Sequence, residues 1–162
     1  MKFLVHTFLL IYLLSSCTSG SNLNNEKGTL IFHSSTLKRK KNASFSDAVT
    51  VNNVIYLAGQ VGTSPVTHQL ATGGIEAETI QALENIKQVL EQHGSDLEHV
   101  VKCTIILSNL DDFKAFNTIF RQYFPKNKPA RTTFAADLLV GSHIEIDVIA
   151  VKVDGFKDAR VN

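Results

Sequence analysis

Ile144-Glu145-Ile146-Asp147-Val148-Ile149-Ala150-Val151 constrains the fold of this chain more than any other stretch. Eight residues dominated by β-formers read as a strand. Alternation places Glu145 and Asp147 together on one face, and sets Val148 and Ala150 opposite Ile149 and Val151. Apolar residues therefore lie on both sides. A sheet built around this strand needs cover on each face, and the two helices that the rest of the sequence supplies pack on one of them. The other face points to further copies of the chain.

The rest of the sequence supplies that sheet and its helices. Residues 29–32 form a short β-rich run, and residues 48–51 and 54–58 read as a hairpin around Asn52-Asn53. Residues 59–74 read as loop. Residues 75–93 are the clearest helix: Ala82, Leu83, Ile86, Val89 and Leu90 recur at three and four, with Glu78 and Glu84 assigned to the opposite side and Gly94 at the end. A strand follows at 100–107, with Val101, Cys103, Ile105 and Leu107 on one face. A second helix starts at Asp111 or Asp112 and carries Phe113, Phe116, Phe120 and Phe124 as a stripe before Pro125. Strands at 130–136 and 143–153 close the pattern. The order predicts an α+β fold, a mixed sheet with two helices packed on one face. The domain is assigned to residues 29–162, and 44% apolar content is enough for one real core. Sixteen basic against fifteen acidic residues give no general attraction for nucleic acid.

The N-terminus reads as an address. Lys2 precedes an apolar stretch of twelve residues, 3–14, about 18 Å as a helix and too short for a ~30 Å bilayer core. That length suits the apolar part of a secretory signal. It ends in Leu14-Ser15-Ser16-Cys17, which resembles the lipobox of bacterial lipoproteins: small residues fit the peptidase, and the Cys17 thiol carries the lipid. Residues 1–16 are thus expected to be a lipoprotein signal peptide. Residues 17–28 are expected to be a flexible tether from lipidated Cys17, rich in Ser, Asn and Gly. The expected location is an exported lipoprotein, anchored in the outer membrane through Cys17 and facing the periplasm.

Several groups carry no chemistry by their spacing. His6, His33, His68, His93, His99 and His143 show no ligand pattern, so no metal is expected. Cys103 alternates inward with its apolar neighbours and reads as a buried, inert thiol. The basic run 38–41 reads as a solvated loop or a contact to anionic lipid. Three features stand out. Arg131 opens a strand with Thr133 and Ala135 on its face, Glu145 and Asp147 charge one side of a hydrophobic strand, and Asn117 interrupts the phenylalanine stripe. These could be a structural ion pair with a satisfied amide in the sheet–helix layer, or the polar groups of a site.

Gly59-Gln60, Gly73-Gly74, Gln81-Ala82-Leu83-Glu84-Asn85-Ile86, Val100-Val101-Lys102, Asp111-Asp112-Phe113 with Asn117, Pro129-Ala130-Arg131-Thr132-Thr133 and the closing strand fall in one order across residues 46–151. Together they resemble the Rid proteins (reactive intermediate deaminases, also called YjgF-like). The resemblance implies a chorismate-mutase-like α+β fold and a homotrimer with clefts between subunits. It also implies cofactor-free hydrolysis of 2-imino acids to 2-keto acids and ammonia. Carried across, Arg131 matches the arginine that holds the substrate carboxylate, a task suited to a planar fork. Glu145 matches the glutamate proposed to position or activate water, and Asn117 and Thr133 match cleft-lining positions.

The sequence departs from that pattern at three places. Phe45, in Ser44-Phe45-Ser46-Asp47, replaces the family's tyrosine, and Ala58 stands where a serine often precedes Gly-Gln. The stretch between Arg131 and Glu145 lacks the usual Leu-Pro and is one residue short. Phe45 favours a rival from another class, a ligand-binding or chaperone-like protein using the same clefts without turnover. An endoribonuclease reading has only the basic run 38–41 behind it.

Overall fold

Asn52 takes a left-handed φ of 53° and turns the chain tightly, so that β2 (Ala48–Val51) pairs antiparallel with β3 (Val54–Leu57), Val51 beside Val54. Its side-chain Oδ1 accepts the Thr29 N–H at 2.8 Å, which draws β1 (Leu30–His33) alongside β2. The computed structural model describes residues 28–34 and 43–155. The signal peptide, Cys17, the tether up to residue 27 and the basic run 38–41 lie outside the described residues.

After β3 the chain does not simply become loop. Residues 60–61 form a two-residue strand, β4 (Gln60–Val61), which the sequence reading missed because two residues carry no periodicity. β3 and β4 lie against opposite halves of β7 (Ile144–Val151), so the strand that most constrained the sequence sits mid-sheet. On its other side β7 pairs antiparallel with β5 (Val100–Leu107), and β5 pairs parallel with the edge strand β6 (Ala130–Ala135). The path is β1-β2-β3-β7-β5-β6, with β4 beside β7.

α1 (Gly74–Gln92) and α2 (Phe113–Tyr123) cover one face. Ala82, Leu83, Ile86 and Leu90 of α1 and Phe116 and Phe120 of α2 share a core with Ile55, Cys103, Ile105, Ile146 and Val148 of the sheet. α1 closes where the Ser95 N–H reaches back to the Leu90 carbonyl at 3.0 Å. Gly62 lets β4 run against α1: a Cβ there would lie 2.5 Å from the Glu78 Cα, so only glycine fits.

Two expectations need correction. Val101 does not share the face of Cys103, Ile105 and Leu107. The ladder shifts register between Val100 and Lys102, turning Val100 inward and leaving Val101 47% exposed. Glu78 does not sit on the outer side of α1 with Glu84 but is almost wholly buried. The opposite face of the sheet is uncovered in a single chain. It carries Leu30, Phe32, Val51, Tyr56 and Phe134, all exposed, together with Ile149 and Val151.

Candidate active site

Parallel pairing with β5 sets Arg131 beside Cys103, on the face the helices cover. α2 lies directly above it. The guanidinium carbon stands 4.8 Å from the ring centre of Phe120, 5.3 Å from Phe116 and 5.7 Å from Phe113. Nη1 donates to Asn117 Oδ1 at 2.9 Å. Helical spacing explains the arrangement: Phe113, Asn117 and Phe120 fall on one side of α2, so the amide emerges between rings that cradle the cation. Phe113 is consequently not core but a 40% exposed wall.

Burial pushes the Arg131 pKa down from its ordinary value, the Cys103 thiol opposes this, and the charge of Arg121 adds to the lowering. A guanidinium stays protonated under such a shift, and its planar fork keeps donors for an anion. Thr133 follows on the same face beside Ile105, half-buried. Beneath, the Cys103 thiol is pushed up to about 12, chiefly by burial. It has no thiolate to offer as a nucleophile. Arg131 and Asn117 open onto a cleft of about 820 Å³ walled by α2 and the turn before β6.

Glu145 is on the other side of the sheet. Its register neighbours are Ile106 on β5 and Val61 on β4, and it alternates with the buried Ile144 and Ile146. The Glu145 carboxylate fills the space a Cβ would take at Gly59, so the backbone of Ala58-Gly59 and this carboxylate lie in direct apposition. Ala58 is fixed from both sides: its N–H donates to the Asp47 carbonyl at 3.0 Å and its carbonyl accepts from Gln60 Nε2 at 3.0 Å. Phe45, 56% exposed, lies two residues before Asp47. The sequence candidates therefore fall into two groups. Arg131, Asn117 and Thr133 share the helix face, whereas Glu145 and Ala58-Gly59 meet at the open face. A structural ion pair of Arg131 with Glu145 inside one chain is ruled out by this division.

Sequence reasoning missed what holds Glu145 in place. The buried carboxylate of Glu78 accepts from Ser142 Oγ at 3.0 Å and from the His143 N–H at 2.8 Å. It also contacts His143 Nδ1 at 2.7 Å. These contacts tie α1 to the two residues that precede β7 and fix where that strand begins. The spacing of Glu78, Ala82 and Ile86 was the available signal, since steps of four place the carboxylate on the apolar stripe. The connection between β6 and β7 carries backbone strain at Val140, a β-branched residue that sits at φ 54° in an exposed turn.

The sequence model of the family described as Endoribonuclease L-PSP matches residues 36–152. The chain is 42% identical over 109 residues to the human protein named 2-iminobutanoate/2-iminopropanoate deaminase, covering 67% of this chain and 80% of that one. Among solved structures, that of yeast Mmf1 aligns with a TM-score of 0.71 at 31% identity, covering 76% of this chain and 99% of the other. RidA from an Antarctic Psychrobacter aligns with a TM-score of 0.65 at 35% identity, covering 68% and 89%.

Proposed function

Because the chain belongs to the endoribonuclease L-PSP family, which takes in the Rid and YjgF-like proteins, we propose that it hydrolyses reactive 2-imino acids and their enamine tautomers to 2-keto acids and ammonia, without a cofactor. The observation that carries this reading is the Arg131–Asn117 pair at an open cleft, a charged fork held in place with donors to spare. An imine carbon beside a carboxylate is already electrophilic, so orientation and a placed water suffice. Arg131 holds the carboxylate. Water adds to the imine carbon as the C=N pair moves to nitrogen. The C–N bond of the resulting carbinolamine then breaks, and nitrogen leaves as ammonia with protons that came from the water. Glu145 takes one of those protons and returns it to the departing nitrogen.

Arg131 and Glu145 lie on opposite faces of one sheet, so a common cleft requires two copies, one giving Arg131 and the other Glu145. The assembly that fits is a homotrimer in which the open apolar faces close on one another, covering Tyr56, Phe134 and their neighbours. The test is release of 2-keto acid from freshly generated 2-iminopropanoate. Acceleration over spontaneous hydrolysis is expected, from a species that sediments as a trimer. No acceleration would overturn the deaminase reading in favour of the binding protein that Phe45 suggests, and a monomer at micromolar concentration would overturn the shared cleft.

The proposed location rests on Leu14-Ser15-Ser16-Cys17: an exported lipoprotein facing the periplasm. Cys17→Ser is expected to move the protein from the membrane fraction to the soluble fraction of a Gram-negative host. Retention of the variant with membranes at the wild-type level refutes the lipid anchor.

A further inference from the structure

Within one chain, the cleft that holds Arg131 is lined by two more cations and by no acid. Arg121 on α2 and Lys128 in the turn before β6 border it, with Phe113, Phe120, Phe124 and Pro129 as apolar wall. Arg121 follows Asn117 by four residues, so it stands ~6 Å further along the same side of α2. Lys128 approaches from the connecting turn, three residues before Arg131. Among the described residues neither is paired with a carboxylate at ion-pair distance. A cation in the last turn of α2 is favoured by the helix dipole, but that accounts neither for Lys128 nor for the missing acid. Three like charges on one concave surface repel one another, and the electrostatic field of Arg121 reaches Arg131. One carboxylate needs one fork. Three cations suit a ligand with a second negative end.

The geometry points to a preference for imino acids that carry a second carboxylate at the far end of the side chain. Arg131 takes the carboxylate beside the imine, and Arg121 with Lys128 take the distal one, the carbon chain between them lying on the phenylalanine wall. This deepens the deaminase reading and rests on it for the identity of the reacting group.

The test measures binding of stable product acids, so it does not depend on turnover. Calorimetric titration of the full chain at low ionic strength compares 2-oxoglutarate with 2-oxobutanoate. The diacid is expected to bind roughly tenfold tighter, and Arg121→Gln with Lys128→Gln is expected to remove that advantage. Lys128→Glu alone should reverse part of it. Equal binding of the two acids by wild type, binding of neither, or an advantage that survives the double substitution would overturn the proposal. If the advantage is present and lost as expected while imine turnover is absent, the second subsite stands and the deaminase reading falls.

Discussion

Glu145→Gln is expected to lower kcat by about 10²–10⁴-fold, the range typical of a lost general base, with a much smaller effect on binding of a 2-keto acid. The substitution keeps the shape of the side chain against Gly59 and removes its ability to accept a proton. Gly59→Ala tests the same group from the backbone side. A Cβ would occupy the place of the carboxylate, whose flexible end can swing away at little cost to the fold. The alanine variant should therefore lose turnover to a similar extent while melting near wild type. Steady-state kinetics with thermal denaturation separates the two readouts. Turnover retained in both variants would show that Glu145 neither activates nor positions the water.

Arg131→Lys is expected to lower kcat/KM by roughly 10- to 100-fold, equivalent to about 1.5–3 kcal/mol for a charge-assisted contact. The charge survives, but the fork does not. A guanidinium can lie across the rings of Phe113, Phe116 and Phe120 and donate to Asn117 while still presenting a second edge to a carboxylate. An ammonium is a point charge that cannot meet both demands in the same geometry. The loss should fall on substrate binding, seen as a raised KM for the imine and weaker affinity for its keto acid. An unchanged kcat/KM would remove Arg131 from the site.

Much of this was open to a reader of the sequence. The hairpin at Asn52-Asn53, α1 and the strand 100–107 follow from periodicity and turn chemistry over a few neighbours, and their bounds lie within a residue or two of those observed. The polar residues of interest were visible for the same reason. Arg131, Glu145 and Asn117 each break a local apolar pattern, and such breaks need no knowledge of the rest of the chain.

The pairing of these residues was not visible. Alternation fixes which residues of one strand share a face, but it does not say whether Arg131 on β6 and Glu145 on β7 face the same way. That is settled by register through β5, where Cys103 aligns with Arg131 and Ile106 with Glu145. Cys103 and Ile106 are three apart, an odd step, so the two side chains emerge on opposite faces. Glu78 escaped for a related reason: a buried carboxylate looks wrong until Ser142 and His143, more than sixty residues away, arrive to bond it. β4 escaped because its strand character comes wholly from β7. The sequence by itself determined which of the longer elements form and which residues are chemically unusual, because those follow from local periods. Only the tertiary structure decided which of them meet, because strand register and helix cover are set by contacts between distant segments.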